Sequence, residues 1–527
     1  MFAIRITNKQ DNGIGHLMRM KHLASALKQH QLGVHIILDD LCKFSQTLYA
    51  DFKVADVHWQ NYEEDALLTI NYMHQNSLSH LIVDSYTLPH EYEQLIKKSG
   101  FTLTVIDDNE RQHTCDFLID YKWVGPNTKS RYESLVPTDC VRLLGPNYCI
   151  LDPTYRTVEK HSSESDLPVR VLFSLGGGGD LFILKRIFDG LPRAIQANVL
   201  FDIVVGPYAT NKDTMYAIGQ EFPNINILEN VTCLKEYYER ASLFVGALGT
   251  SFYECAATKT PAITFSLEDN QTNDIDILEW LGHYLHINDV SIDDFLRLGE
   301  LIDIALSQLP RLQLLVAKRK VSVDGEGARR IAKALVGEKI STNCFAIAEQ
   351  HCEVKTELTD NLVVCQVDDT HINSYLSARN LPSNSVRMTV QNAIKPLEHY
   401  LWWFNQSRFN FVITEREGSR QSQSLYIWHN LYKDKYLYGG WFSCNQDLSL
   451  PIAMIALQWQ LEFCKASHPN AIWLAVIHKD NKFVNLLNSY MGFVAIPIHS
   501  KEYKVTQQLF PLADEQFNFV MWDPNAQ

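Results

Sequence analysis

The chain has 527 residues, of which 46% are hydrophobic, 11% aromatic and 20% charged, so its composition excludes a largely disordered protein. This length predicts about three or four domains. Lys and Arg number 47 against 61 Asp and Glu, which gives a net charge of −14 and disfavours a nucleic-acid partner, because phosphates would meet a repulsive average field.

The sequence shows no targeting or membrane-spanning segment. The N-terminus reads directly as a strand, without a basic and apolar leader, and no apolar run reaches the roughly 18 residues of a spanning helix. The 11 cysteines are scattered, odd in number and without any C-x-x-C pair. We therefore expect free thiols, no metal site, no membrane partner and a cytoplasmic location.

Residues 1–155 alternate short apolar runs with amphipathic stretches, which predicts βα units and a parallel sheet. The predicted strands are 2–7, 34–38, 80–84, 102–106 and 116–119. Helices are predicted over 16–29 and over 90–99, the second ending at Gly100 as a left-handed cap. This segment is the first predicted domain, and it is Rossmann-like.

A polar stretch over residues 160–166 marks a linker, and a second βα series occupies residues 165–337. Its predicted strands are 169–174, 201–205, 225–228, 243–246 and 262–265. Two Rossmann-like domains in tandem place a ligand cleft between facing strand ends. The remaining domain, residues 362–527, is rich in aromatic residues and predicts an α+β fold.

The first motif is Asn12-Gly13-Ile14-Gly15-His16, which follows the first strand and opens the first helix, with Arg19 one turn later. Two glycines permit a tight turn, and the N–H groups of a helix N-terminus favour an anionic or strongly hydrogen-bonding ligand. The positive end of the helix dipole disfavours imidazolium. We therefore expect His16 to be a neutral general base; a surface histidine on an ordinary turn is the alternative.

The second domain carries a glycine run over 176–179, whose backbone donors suit a diphosphate, although such runs also form plain hinges. Its most relevant members are Gly176 and Gly177. Further on, Thr250 is predicted to cap a helix that stabilises a leaving diphosphate, and Glu254 to accept ribose hydroxyl bonds. With Asn270 and Gln271, these residues predict a nucleotide-sugar site.

Residues 1 to about 335 resemble the UDP-sugar hydrolases of pseudaminic acid biosynthesis (the PseG type), GT-B-fold relatives of MurG-type glycosyltransferases. The resemblance is carried by ordered pieces along the whole span. They are Gly13 to His16 with Arg19, Ile82-Val83-Asp84 with Tyr86, Asp107-Asp108, Cys115-Asp116, Leu135-Val136-Pro137, Gly145 with Tyr148, the glycine run, Thr250 with Glu254, and Asn270-Gln271.

The resemblance implies metal-free hydrolysis of UDP-2,4-diacetamido-2,4,6-trideoxy-β-L-altropyranose to UDP and free sugar. It makes His16 the base for a water that attacks the anomeric carbon with inversion, while Asp84, Tyr86 and Asp107 line the sugar side. Asp120, where relatives commonly carry asparagine, and Asp152-Pro153 depart from the pattern. A GT-B glycosyltransferase, with a sugar hydroxyl replacing water, is the alternative function.

Residues 362–527 resemble GCN5-related N-acetyltransferases (GNAT), similar to the PseH type that acylates the 4-amino group of the same pathway's sugar nucleotide. The match lies in Arg379-Asn380, Val386-Arg387, Glu398-His399, Trp403, Tyr438 to Phe442, the helix 452–464, the strand 472–476, Asn481 and Met491-Gly492-Phe493. The resemblance implies acetyl-CoA or another acyl-CoA as co-substrate. The predicted fold class is therefore α/β, two tandem Rossmann-like domains in a GT-B arrangement, followed by an α+β GNAT-like domain.

The cofactor motif of this last domain departs from the family. The run Gln446 to Pro451 replaces Q/R-x-x-G-x-G/A, so Ser449 brings a side chain where backbone approaches phosphate, and Pro451 lacks a donor. Gln446, Ser449 and Asn481 are the candidate cofactor residues. Tyr490 is the candidate proton donor, because the usual tyrosine position is Asn488, and His399 would orient the amine or satisfy a buried partner. A non-catalytic binding module is the alternative to acyl transfer.

Overall fold

The computed structural model describes residues 1–7, 15–158, 168–267, 274–340, 353–417, 420–445 and 449–526. The chain forms two compact units, Met1–Ala348 and Glu349–Gln527. No helix in the described ranges is both long and apolar enough to cross a membrane.

The first unit contains two parallel sheets, which we name sheet A and sheet B. The strands of sheet A are β1 Phe2–Ile6, β2 Val34–Leu38, β3 Lys53–Asp56, β4 His80–Asp84, β5 Thr102–Ile106, β6 Phe117–Asp120 and β7 Val141–Leu144. Their order is β3-β2-β1-β4-β5-β6-β7. The helices among them are α1 Gly15–Gln29, α2 Lys43–Leu48, α3 Tyr62–Gln75 and α4 His90–Lys98. Every residue of β1, β2 and β4 is buried, as expected for a parallel sheet covered on both faces.

Sheet B follows the same plan. Its strands are β8 Arg170–Ser174, β9 Leu200–Val205, β10 Ile225–Glu229, β11 Leu243–Ala247, β12 Ala262–Phe265 and β13 Leu285–Ile287, in the order β10-β9-β8-β11-β12-β13. Its helices are α5 Phe182–Asp189, α6 Arg193–Asn198, α7 Lys212–Glu221, α8 Lys235–Arg240, α9 Thr250–Thr258, α10 Ile275–Glu279, α11 Ile292–Ser307, α12 Leu309–Ala317 and α13 Gly327–Leu335. The first unit is therefore an α/β structure with two Rossmann-like sheets.

The last helix of the predicted second domain packs on the first. In α13, Ala328, Ile331 and Leu335 belong to the same buried cluster as Leu17 and Met20 of α1. Apolar contact therefore ties residues 327–335 to sheet A, although they lie within the predicted segment 165–337. By its packing, α13 belongs with sheet A, whereas its place in the sequence put it in the second predicted domain.

The second unit has one mixed sheet. Its strands are β14 Val354–Thr359, β15 Leu362–Gln366, β16 Phe409–Glu417, β17 Arg420–Tyr432, β18 Tyr436–Ser443, β19 Ile472–His478, β20 Val494–Ala495 and β21 Phe517–Trp522, in the order β14-β15-β16-β17-β18-β19-β21-β20. Its helices are α14 Ile372–Asn380, α15 Pro382–Ser385, α16 Pro396–Trp403, α17 Leu450–Ser467, α18 Lys482–Tyr490 and α19 Lys501–Leu509. Strand β14 pairs with β15, so the sheet starts before the predicted boundary at residue 362.

The cysteines correct one expectation from the sequence. Eight described cysteines are free thiols, but Cys365 on β15 is disulfide-bonded. The prediction that the cysteines remain free thiols is therefore wrong for Cys365.

Candidate functional site

The predicted site residues of sheet A gather where the strand order reverses. Strand β1 lies between β2 and β4, so the connections that follow β1 and β4 leave in opposite directions and open a crevice at their carboxyl ends. His16 lies in the first turn of α1, directly after β1, and Asp84 is the last residue of β4. The topology therefore brings together residues 68 positions apart in sequence.

His16 and Arg19 share the Asp84 carboxylate. His16 Nδ1 lies 2.6 Å from Oδ1 of Asp84, while Arg19 donates from Nε to Oδ2 at 2.6 Å and from Nη2 to Oδ1 at 2.5 Å. All three side chains are buried. Burial raises the pKa of Asp84, but Arg19 and then His16 lower it by more, so it lies well below its usual range. Asp84 is thus a carboxylate at neutral pH.

An ionised Asp84 assigns the tautomer of His16. Nδ1 lies 2.6 Å from the Asp84 carboxylate, which can only accept, and 3.0 Å from Arg19 Nη2, which can only donate. Because the carboxylate contact is the shorter one, we assign the proton to Nδ1 and the lone pair to Nε2. Nε2 has no hydrogen-bond partner within the described ranges. The arrangement is that of a histidine base oriented by a carboxylate. Its orientation follows from Asp84, which the helix-dipole argument from the sequence did not include.

Tyr86 packs against the same imidazole. Its ring meets His16 edge to face at a centroid distance of 4.6 Å, and its hydroxyl donates to both carboxylate oxygens of Asp108 at 2.8 and 2.9 Å. The Asp108 side chain is 32% exposed and lies 4.0 Å from Nη1 of Arg19. Asp108 therefore joins the site, although only its neighbour Asp107 was among the predicted substrate residues.

Asp107 takes a different role from the predicted one. Its carboxylate is fully buried and accepts from Arg111 Nε at 2.8 Å, Tyr132 Oη at 2.9 Å and the Arg111 amide at 3.1 Å. His113 Nε2 is a further neighbour at 3.3 Å. With its oxygens engaged below the surface, Asp107 is a structural anchor and does not line the sugar side.

Two other predicted residues of the first unit need comment. Tyr148 is half-buried against the apolar cluster of α1 and α13, so it does not join the group around His16. Gly15 lies at the exposed start of α1, with open space where a Cβ would stand. Gly13, Asn270 and Gln271 lie outside the described residues.

In sheet B the strand order reverses between the neighbouring strands β8 and β11. The glycine run directly follows β8, and helix α9 follows β11. Gly176 has a φ of +84°, a conformation that favours glycine, and open space surrounds the position of a Cβ. The Gly177 carbonyl accepts the Tyr208 amide at 3.0 Å, and Gly206 packs against both glycines so closely that a Cβ there would overlap their carbonyl oxygens. Contacts to Gly206 and Tyr208 thus define the path of this loop.

The start of α9 differs in detail from the prediction. Gly249 is the N-cap and Thr250 is the first helical residue, so Thr250 does not cap the helix; its side chain lies outside the described part. Glu254 accepts a hydrogen bond from Tyr155 Oη at 2.8 Å through Oε1. Burial raises the pKa of Glu254 to about 7, against the lowering effect of Tyr155. Tyr238 on α8 is a second hydrogen-bonding neighbour of this carboxyl and also lowers its pKa.

Tyr121 connects the two halves of the site. Arg19 Nη1 donates to Tyr121 Oη at 3.3 Å, and the Tyr121 ring meets that of Tyr253 on α9 edge to face at 5.5 Å. Tyr253 Oη in turn accepts the Trp123 amide at 3.0 Å. The carboxyl edges of sheets A and B therefore face one another near Arg19. Neither tyrosine belongs to a motif that the sequence analysis could have recognised.

The second unit contains a cavity of about 580 Å³. Strands β18 and β19 pair in parallel only from Tyr436–Tyr438 to Ile472–Leu474, and the later residues of both strands line the cavity. Arg379, Arg387 and Arg408 also line it, and no aspartate or glutamate is present among its described lining residues. The cavity is thus positively charged in a chain of net charge −14.

Some of the residues predicted for this unit line the cavity and others do not. His399 and Asn481 line the cavity, and His399 Nε2 donates to the Ile372 carbonyl at 2.7 Å; burial lowers the pKa of His399 to about 4. Tyr490 is 75% exposed and does not line the cavity, whereas Asn488 does. The prediction of Tyr490 as proton donor therefore has no support in its position. Gln446 lies outside the described residues.

Ser449 is the N-cap of α17, so it occupies backbone N–H groups that a phosphate would otherwise contact. Its Oγ accepts the Ile452 amide at 3.4 Å, its carbonyl accepts the Ala453 amide at 3.2 Å, and Pro451 has no N–H. The described residues at this helix start do not form a diphosphate cradle.

Comparison with known proteins gives a distant relative and several structural neighbours. No protein-family model matches the chain. The spore coat polysaccharide biosynthesis protein SpsG of Bacillus subtilis (strain 168) is 22% identical over 270 residues, which cover 50% of this chain and 76% of SpsG.

Among solved structures, Acinetobacter baumannii MurG matches with a TM-score of 0.45 and 12% identity, over 64% of this chain and 99% of that chain. A UDP-GlcNAc 2-epimerase from Neisseria meningitidis, bound to UDP-GlcNAc, matches with a TM-score of 0.43 and 11% identity, over 64% of this chain and 100% of the epimerase.

Proposed function

We propose that the first unit is a UDP-sugar hydrolase with a GT-B arrangement of its two Rossmann-like sheets. The observation that carries the proposal is the His16–Asp84–Arg19 group at the switch point of sheet A, joined through Tyr121 and Tyr253 to the helix that follows the switch point of sheet B. SpsG, the distant relative, is described as a polysaccharide biosynthesis protein, which agrees with a saccharide substrate. By resemblance, the sugar is a 2,4-diacetamido-2,4,6-trideoxyhexose.

In this mechanism His16 is the general base. Its Nε2 takes a proton from water as the water oxygen bonds to the anomeric carbon, and the bond from that carbon to the phosphate oxygen breaks. The electron pair leaves with UDP, and a single displacement inverts the anomeric centre. Asp84 holds the ring in the required tautomer and stabilises the positive charge that the ring acquires.

The second sheet supplies the leaving-group side. Backbone N–H groups of the glycine run and of the α9 N-terminus stabilise the charge that develops on the diphosphate. The Glu254 carboxylate, one turn after the start of α9, accepts a ribose hydroxyl.

We propose that the second unit is an N-acyltransferase that uses acyl-CoA to acylate the 4-amino group of the precursor UDP-sugar. Acyl-CoA, when bound, supplies an activated thioester. The end of pairing between β18 and β19 supports this assignment, because the unpaired edge of β18 offers backbone groups to an extended amide chain. The arginines suit the phosphates of the sugar nucleotide.

The edge of β18 supports a place for the pantetheine and acyl end of such a cofactor, whereas the described start of α17 gives no support for its diphosphate. The Ser449 cap uses two of the helix-start amides, and Pro451 has none. No step of acyl transfer is therefore assigned through the diphosphate contacts.

One experiment tests both proposals. The purified full chain is incubated with the UDP-4-amino sugar or its 4-acetamido product, with and without acetyl-CoA, and UDP, free sugar and free CoA are measured. UDP and free sugar formed in water, and lost in His16→Ala, support the hydrolase. UDP formed only when a sugar acceptor is added would assign the unit to glycosyltransferases instead, and acetyl-CoA that is never consumed would leave the second unit a binding module.

A further inference from the structure

Arg111 binds the backbone directly after β4. Its Nη2 donates to the Ser85 carbonyl at 2.8 Å, and its Nη1 donates to the Tyr86 carbonyl at 3.2 Å. Ser85 and Tyr86 follow Asp84 without a gap. A planar guanidinium has a fixed donor geometry, so its two bonds fix the orientation of two successive peptide groups.

Arg111 is itself held in place by the buried carboxylate of Asp107. Asp107 accepts from Arg111 Nε at 2.8 Å and from the Arg111 amide at 3.1 Å. Burial raises the pKa of Asp107, but His113 and Arg111 lower it by more, so it lies below its usual range. Tyr132 Oη donates at 2.9 Å to Oδ2 of Asp107, the oxygen that also accepts the Arg111 amide. The anchor is therefore ionised and restrained on several sides.

The segment that Arg111 holds is the one that contacts His16. Asp84 meets the imidazole at Nδ1, and Tyr86 packs against the ring. The hydrogen bonds of the Arg111 guanidinium go to Asp107, Ser85 and Tyr86. Its effect on His16 thus passes through the two residues that orient the ring.

We propose that Arg111 is a positioning residue of the first unit: it fixes the Asp84–Tyr86 segment and thereby the orientation of the His16 imidazole. The proposal rests on the proposed function, since His16 is assigned there as the base. It explains why a fully buried aspartate, Asp107, follows β5 beside the site without facing a substrate. Because near-attack geometry is sensitive to displacements of about 1 Å, loss of Arg111 should reduce kcat about 10- to 100-fold while leaving KM within about twofold.

The test uses Arg111→Gln, Arg111→Lys and Asp107→Asn in the full chain. UDP release gives kcat and KM, thermal unfolding reports on folding, and proton NMR follows the downfield resonance of the short His16 Nδ1–H···Asp84 bond, assigned by its loss in Asp84→Asn. The matched control is Arg193→Gln, since Arg193 is exposed and donates only to Gln196 on its own helix within the described ranges.

We expect Arg111→Gln and Asp107→Asn to lose or shift the resonance and to lower kcat alone, and Arg111→Lys to recover part of both, with Arg193→Gln unchanged. A folded Arg111→Gln that keeps the resonance, or that keeps wild-type kcat, overturns the proposal. If Arg111→Gln fails to fold, Arg111→Lys and Asp107→Asn decide by the same criteria. If the wild type releases no UDP, the hydrolase assignment fails, and the resonance alone decides whether Arg111 positions His16.

Discussion

The His16 imidazole and the Asp84 carboxylate meet at 2.6 Å, across the point where the strand order of sheet A reverses. Arg19 binds the same carboxylate through two nitrogens. The carboxylate is therefore shared between a cation that keeps it ionised and a ring whose tautomer it sets. This division explains how one fully buried aspartate can serve a neutral base without remaining an uncompensated buried charge.

Asp84→Asn separates the two roles. An amide no longer requires the proton on Nδ1 and no longer stabilises the imidazolium, so we expect kcat for UDP release to fall about 10²- to 10⁴-fold with KM little changed. Steady-state UDP release measures both constants. Asp116→Asn is the matched control, because Asp116 pairs with Lys97 at the opposite edge of sheet A. Near-wild-type kcat in Asp84→Asn would contradict the assignment of His16 as the base.

Glu254 predicts a pH-dependent nucleoside affinity. Burial raises the pKa of Glu254 to about 7, so this carboxyl is mostly protonated at pH 6 and mostly ionised at pH 8. A ribose hydroxyl donates more strongly to the ionised form, so uridine should bind about three- to tenfold more tightly at pH 8 than at pH 6. Uridine is the probe because it lacks phosphates that titrate.

Isothermal titration calorimetry on the full chain measures this dependence. Glu254→Gln should remove it, whereas Glu236→Gln, an exposed glutamate on α8, should retain it. Equal uridine affinity at the two pH values in the wild type would show that Glu254 does not contact the ribose.

Asp120 predicts a pH-dependent change in stability. Burial raises the pKa of Asp120 to about 7, and Asp108 and Asp107 add to this effect, against the lowering by Arg131 and the Lys122 amide. In the unfolded chain the pKa is about 3.9, so between these values the native state holds a proton that the unfolded state has released. The wild type therefore loses stability as pH rises from about 4 to about 7.

Asp120→Asn does not titrate, so the free energy of unfolding of the variant minus that of the wild type should increase by roughly 1 to 4 kcal/mol from pH 5 to pH 8. Urea unfolding of the full chain at both pH values measures the difference. Asp51→Asn, at an exposed aspartate, is the control and should show no such change. A constant difference for Asp120→Asn would mean that Asp120 is ionised across the range.

The sequence predicted the central strands of both Rossmann-like sheets, because those strands are mostly apolar, with at most one or two polar residues each. It missed β3, β7 and β13, which are edge or near-edge strands of three or four residues. Lys53 and Asp56 interrupt the apolar pattern in β3, and a three-residue strand such as β13 is too short for a period to show. The apolar face of α13 is visible in the sequence, but its partner, α1, is about 300 residues away and cannot be inferred from periodicity.

The sequence was enough to recognise the motifs of the candidate site, but not to assign a role to each of its residues. A glycine turn before His16 and an aspartate that ends a buried strand are local signals. Asp107 and Asp108 are adjacent in sequence, yet one is an internal anchor and the other bonds Tyr86 at the site edge, and nothing in the residue types distinguishes them. The tautomer of His16 and the action of Arg111 both depend on contacts between distant segments.

In the second unit, we expect substitution of Tyr490 to leave acyl transfer unchanged and substitution of Arg387 to weaken substrate binding. Tyr490 is 75% exposed and away from the cavity, so Tyr490→Phe should leave kcat for acyl transfer within about twofold of wild type.

Arg387 lines the cavity, and its guanidinium has no partner within the described ranges, so it is available to a phosphate. Loss of a charge-assisted bond predicts that Arg387→Ala raises the KM for the UDP-4-amino sugar about tenfold. Free CoA thiol released with acetyl-CoA as donor measures both variants, and a Tyr490→Phe variant without activity would return Tyr490 to the role of proton donor.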